Sequence, residues 1–172
     1  MEIEVWQGEI AELEVDALIV PANESLFMTM PVARAVKIRG GERVELDAVE
    51  QGPIEAGSAV VTGGGKLAAP YVIHAVAVGH DLRPDADRLR RSIHAALDIA
   101  ARLGLERLAC APIGLDRGVF PVDEAARLLA EVLTERALAG DPLPASLVVA
   151  VSNPAELNAY RAALEQLRPV RR

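Results

Sequence analysis

The sequence of 172 residues predicts an α/β fold: one domain, residues 1–172, built as a three-layer α/β/α sandwich around a central mixed, mostly parallel sheet. Three observations carry that expectation. Short apolar runs alternate with helix-period segments along the chain, the pattern of strands joined by crossover helices. Tyr71 to Val78 is nearly all apolar, as in a strand covered on both faces. Hydrophobic residues make up 51% and charged residues 25%, which supports a sizeable core and excludes a disordered or fibrous chain.

Each element has a local reason. Ile3 to Trp6 reads as a short strand and Ala17 to Val20 as a buried one. Val32 to Ile38 and Glu42 to Gln51 read as helices broken at Gly40-Gly41. Ser58 to Thr62 is a strand, followed by a Gly63-Gly64-Gly65 turn and the strand Tyr71 to Val78. Ala86 to Leu103 is a long helix, because Leu89, Ile93, Ala96, Leu97 and Ala100 recur at three- and four-residue spacing and Gly104 suits its end. Leu108 to Ile113 is a strand. Val122 to Leu138 is a helix, opened near Pro121 and closed by Gly140. Ser146 to Val151 is the last strand. Asn153-Pro154 then pairs an N-cap with proline at the first helical position of a helix ending near Leu167.

Charge and composition narrow the function. A net charge of −7 argues against general nucleic-acid binding, which needs a basic face. It leaves room for an anionic ligand held by backbone N–H groups. The lone cysteine, Cys110, lies in an apolar run and reads as a buried thiol; no intrachain disulfide is possible, which fits a reducing compartment. There is no charged-then-apolar signal segment and no apolar run of about 18 residues, so a cytoplasmic protein without membrane contact is expected. Lysine is confined to Lys37 and Lys66 while arginine is abundant, a bias that fits either a GC-rich genome or thermal adaptation.

In parallel sheets the chemistry gathers where strands end. The second strand delivers Pro21-Ala22-Asn23-Glu24-Ser25. The Asn23 amide can meet a sugar hydroxyl or phosphate, or it can simply shape an Asx turn. The strand ending near Pro112 delivers Gly114 and Gly118 before a helix N-terminus, which makes either a phosphate cradle or an ordinary connecting loop. It matches neither the Walker loop nor Gly-x-Gly-x-x-Gly. Gly63-Gly64-Gly65-Lys66 precedes a strand rather than a helix and reads as a tight turn. His74, His80 and His94 lack metal-site spacing; His74 reads as a core residue, and neither a metal nor a cofactor is expected.

Five stretches, in order, resemble the macro domain family, the ADP-ribose-binding module also called the Appr-1″-p processing domain. They are Gly8-Glu9-Ile10, Val15-Asp16-Ala17-Leu18-Ile19 leading to Val20-Pro21-Ala22-Asn23, Gly57 to Thr62, Tyr71 to Val76, and Pro112 to Phe120. The resemblance implies that Glu9 accepts the adenine amino group beside the Ile10 backbone, and that Asn23 contacts the distal ribose, with Val32 a further contact near the first loop. It also implies that Gly114, Leu115, Asp116, Arg117, Gly118, Val119 and Phe120 wrap the diphosphate and distal ribose. The first loop diverges, with Thr29-Met30-Pro31 where the family has three glycines. Val20 replaces an asparagine, Ala33 an aspartate of many hydrolases, and Val151 a frequent aromatic; Asp116-Arg117 lengthens the second loop.

Three functions follow from the resemblance. The first is binding of ADP-ribose or a derivative, free or on an ADP-ribosylated protein. The second is ADP-ribosyl or O-acetyl-ADP-ribose hydrolysis, with Asn23 and Asp116 as candidate catalytic residues. The third is a structural, homo-oligomeric role with altered or lost binding. The apolar loop Leu26 to Pro31 fits a lid, a core plug or a subunit contact.

Overall fold

The computed structural model describes residues 1–81, 83, 85–115, 118 and 120–167. Six strands, β1 (Glu2–Gln7), β2 (Ala17–Asn23), β3 (Ser58–Gly63), β4 (Tyr71–Val78), β5 (Arg107–Cys110) and β6 (Ser146–Val151), form one sheet in the order β1-β6-β5-β2-β4-β3. Only β3 runs antiparallel, against β4. Among the described residues, α1 (Pro31–Gly40), α2 (Glu42–Gln51), α3 (Ala86–Arg102) and α4 (Val122–Ala139) connect the strands, and α5 (Pro154–Glu165) follows the last of them.

Residue parity explains the three layers. Successive strand side chains point to opposite faces. Ala17 and Ile19 of β2 therefore join a core built with α3, α4 and α5, while Leu18 and Val20 join one built with α1 and α2. In β5, Leu108 and Cys110 take the first face and Ala109 the second. Both faces are covered, so the strands read as unbroken apolar runs rather than alternating ones. The predicted stripe of α3 is buried in full. Gly41, at φ 99°, breaks α1 from α2, and Gly140, at φ 75°, closes α4 in the left-handed region.

Two strand ends differ from expectation, and they shape the site. β2 runs three residues beyond Val20, through Pro21, to Asn23. β5 stops at Cys110 rather than Ile113, its neighbour Ala111 donating one last bond to Ile19 O at 3.0 Å. Pro21 shares the parity of Ile19, so its missing N–H faces the side that β5 has already left. Beyond this point β2 and β5 part. Their chains also leave to opposite faces: β2 leads to α1 over one layer, and β5 leads to α4 over the other. Adjacent strands diverging to opposite faces make the crevice in which α/β sheets hold ligands.

Candidate functional site

One end of the crevice is a cleft of about 160 Å³ at the carboxyl ends of β1 and β6, floored by Ala111 and Ala150 and walled by the start of α1. It brings together three of the predicted residues: Glu9, Ile10 and Val32. Gly8 prolongs the β1–β6 ladder by donating to Val151 O at 3.0 Å, and a 3₁₀ turn, Ile10–Glu12, follows at once. Glu9 caps that turn with its backbone alone. Among the described residues its exposed carboxylate has no hydrogen-bond or ion-pair partner, and neither has the Ile10 N–H. An acceptor and a donor thus sit side by side, the pair that reads an amino group next to a ring nitrogen.

The sequence reading missed two neighbours of the cleft. Ser152 lines it; its N–H donates to Glu156 at 2.8 Å within the cap of α5, while Asn153 accepts from Glu156 N at 2.9 Å. Trp6, the single tryptophan, lies against Gly8 so closely that a β-carbon there would run into the indole ring. Neither was legible because β1 and β6 meet only through the register Gln7 to Val151. Val151 itself is fully buried in the core with α3, α4 and α5 and lines no part of the cleft.

The first loop is a plug tied to α2. Leu26 and Met28 are buried in separate core clusters and Phe27 points outward, 51% exposed. Leu26 holds φ 64°, a left-handed conformation that costs a non-glycine residue about 1–2 kcal/mol. Its buried side chain sustains that conformation. The Met28 N–H donates to Glu45 Oε2 at 2.7 Å, and Lys37 lies 2.8 Å from Oε1. Burial works against ionisation of Glu45, yet these two partners hold its carboxyl below the ordinary value. After the plug, α1 opens at Pro31 with no side-chain cap and no acidic residue in its first turn. The first intrahelical bond is Arg34 N to Met30 O, so the N–H groups of Val32 and Ala33 have no partner among the described residues, and Val32 lines the cleft.

Asn23 stands at the other end. Its Oδ1 accepts from Ser25 Oγ at 2.7 Å and from Leu26 N at 3.0 Å, an Asx turn. The backbone donor identifies the oxygen, so Nδ2 faces the opposite way and has no partner among the described residues. Beside it, Glu24 Oε1 accepts from Ala56 N at 3.1 Å and Oε2 lies 3.0 Å from His80 Nε2.

Of the second loop, Gly114 is buried at φ 95°, and a β-carbon there would lie 2.8 Å from Leu89. Packing against α3 thus accounts for this glycine. Gly118, at φ 62°, donates to Leu115 O at 2.9 Å in an exposed turn, and Leu115 and Phe120 pack on the core with α3, α4 and α5. Asp116, Arg117 and Val119 lie outside the described residues. The Gly63-Gly64-Gly65 turn is packed against Gly40 and Ala69. His74 is buried and bonded to Thr62 Oγ1 at 3.0 Å, and burial pushes its imidazole down to about 4. Among the described residues no three His, Cys, Asp or Glu side chains gather to hold a metal, and no helix is long and apolar enough to cross a membrane.

The comparisons with known proteins agree with this fold. The family model "Macro domain" matches residues 19–129. An uncharacterized protein of Aquifex aeolicus is 37% identical over 132 residues, 76% of this chain and 80% of that protein. One of Pyrobaculum aerophilum is 34% identical over 155 residues, 87% and 84% of the two chains. One of Mycobacterium tuberculosis is 36% identical over 129 residues, but the match spans only 36% of its length. Among solved structures, an Oceanobacillus iheyensis macrodomain with ADP superposes with TM-score 0.84 at 19% identity, covering 96% of this chain and 90% of that one. A Trypanosoma brucei macrodomain in complex with ADP-ribose gives TM-score 0.84 at 22% identity, covering 95% and 69%. By its matched sequence and its fold, the chain belongs to the macro domain family.

Proposed function

We propose that this protein binds ADP-ribose, or an ADP-ribose group carried on another molecule, along the crevice from Glu9 to Asn23. The free Glu9 carboxylate beside the free Ile10 N–H carries the reading, because adenine presents an amino donor next to a ring acceptor. The diphosphate would lie over the N-terminus of α1, whose Val32 and Ala33 N–H groups and partial positive charge suit an anion. The terminal ribose would meet Asn23 Nδ2. The dimensions support this order. Three inter-strand spacings separate β1, which leads into Glu9, from β2, which ends on Asn23, roughly 14 Å. Ten bonds join the adenosine anomeric carbon to the terminal ribose ring, about 12 Å at the rise per bond of an extended chain. The ADP and ADP-ribose complexes of the structural neighbours support the same ligand class.

Trp6 provides the assay. Its indole backs Gly8 at the rim of the cleft, so adenine entering should change its fluorescence. ADP-ribose should bind more tightly than ADP, and ADP more tightly than ribose 5-phosphate. Glu9→Ala should weaken binding about tenfold, the loss of one hydrogen bond of about 1.4 kcal/mol. Calorimetry with millimolar ADP-ribose that records neither heat nor a fluorescence change would rule the reading out.

A further inference from the structure

We infer that a second ligand site lies beside the C-terminal halves of α3 and α4, where Arg136 lines a hollow of about 610 Å³, and that it takes an α-amino acid with an apolar side chain. The volume falls within the roughly 300–1,000 Å³ of small-molecule sites. The hollow shares no lining residue with the cleft at Glu9, so the inference stands apart from the ADP-ribose reading.

Arg136 carries the argument. It sits in the last turn of α4, with 3% of its side chain accessible, whereas its carboxylate partner Asp98 is 62% accessible. Nη1 donates to Asp98 Oδ1 at 2.8 Å and lies 3.5 Å from His94 Nδ1; Nη2 donates to Pro142 O at 3.2 Å. Nε has no partner among the described residues and is closed to solvent. A buried cation is costly unless its donors are met, and an orphaned donor on a charged group costs more than one on a neutral group. The negative end of the α4 dipole favours a cation here but supplies no acceptor for Nε. An acid group in the hollow supplies one, reached by the guanidinium turning its Nε edge toward the ligand.

The other charges select the kind of acid. Arg102 and Asp141 are exposed and line the same hollow, yet neither has an ion-pair partner among the described residues, not even the other. A simple anion would meet Arg136 and Arg102 but also the carboxylates of Asp98 and Asp141. A simple amine would meet the reverse. Two guanidiniums and two carboxylates around one hollow suit a molecule that carries both signs. Its carboxylate falls to Arg136 and Arg102, since a guanidinium matches a carboxylate with two parallel N–H bonds. Its ammonium falls to Asp98 and Asp141. The wall toward β3 is apolar, formed by Ala59, Ala95 and Ile99, and receives the side chain of the amino acid.

L-Leucine is the probe. Calorimetry should give a Kd in the millimolar range or below. The Arg136 Nε–H signal in a proton–nitrogen NMR spectrum, identified by its absence from Arg136→Lys, should shift as leucine is added. 4-Methylpentanoate lacks the ammonium and isopentylamine lacks the carboxylate, and each should bind about tenfold more weakly or worse. Arg102→Gln and Asp141→Asn change exposed side chains that have no ion-pair partner among the described residues, so Tm should hold while leucine affinity falls about tenfold. Neither heat nor a shift at tens of millimolar leucine overturns the inference. So does 4-methylpentanoate or isopentylamine binding as tightly as leucine, and so does leucine affinity unchanged in both rim variants. Binding of ADP-ribose, or its failure, enters none of these outcomes.

Discussion

Glu45→Ala tests whether the plug that replaces the glycine loop is held from α2. Met28 N–H is the donor at risk. Met28 is 2% exposed, so without Glu45 that N–H loses its acceptor in a place water reaches poorly. A hydrogen bond to a charged acceptor is worth about 1.5–3 kcal/mol. The Lys37–Glu45 pair is partly exposed, at 31% and 14% of the two side chains, and adds only about 0.5 kcal/mol. Alanine returns a few tenths through helix propensity. The net expectation is a loss of about 2–3 kcal/mol, or roughly 5–10 °C in Tm for a chain of this size.

Urea and thermal unfolding of Glu45→Ala and Glu45→Gln should separate the two contributions. Glutamine can still accept from Met28 N–H but leaves Lys37 unpaired, so its loss should be about 1 kcal/mol. The pH dependence follows from the sign of the shift. The folded carboxyl titrates below its ordinary value of 4.5, so its share of stability is present above that pH and fades as pH falls through the folded value. The gap between wild type and Glu45→Gln should therefore narrow below pH 4.5. Glu45→Ala within about 0.5 kcal/mol of wild type at pH 7, the range of an ordinary surface change, would refute the reasoning.

Three further outcomes are expected. Val32→Glu places an acid in the first turn of α1, where the helix dipole favours it by about 0.3–1 kcal/mol, so Tm should hold while the diphosphate is repelled and calorimetry shows at least a tenfold weaker ADP-ribose complex. His74 is neutral in its buried site, with a folded value near 4 against an ordinary 6.5, so the unfolded chain binds the extra proton between those values. Stability measured by urea unfolding should fall by about 3 kcal/mol as pH drops across that window, and His74→Gln should remove that share of the slope. Cys110 should resist a thiol reagent in the native protein at pH 8 and titrate as one thiol in 6 M guanidinium; rapid native labelling would contradict its burial.

The fold was legible because parity and periodicity survive in the sequence. The unbroken apolar runs reflect a sheet covered on both faces, and the α3 stripe and the glycines at 41 and 140 mark where helices pack and stop. The strand ends were less legible. Whether β2 passes through Pro21 depends on where β5 stops, and that is a property of two segments about ninety residues apart in the chain. The same limit applies to the site. Glu9, Ile10 and Val32 could be anticipated from their own segments and do meet in one cleft. Ser152 lines it, and Trp6 stands behind Gly8 at its edge, only because β1 lies in register with β6. His80 was visible as a loop histidine, but its pairing with Glu24, one more polar residue after Asn23, was not.

The divergent first loop is compatible with the anion site proposed at α1. Glycine cradles bind phosphate by letting backbone N–H groups approach, and a helix N-terminus supplies such groups without glycine. In this chain Pro31 removes one donor at a position where proline suits the helix start, while Val32 and Ala33 keep theirs. The two helices that flank the crevice also differ in charge. α1 has no acid in its first turn, whereas α4 carries Asp123 and Glu124, which offset the positive end of its own dipole. On electrostatic grounds the proposed diphosphate site therefore falls nearer α1, on the side of the altered loop. A plug anchored by Leu26, Met28 and Glu45 fits that arrangement, since a rigid helix start can hold a diphosphate with fewer donors than a flexible loop must offer.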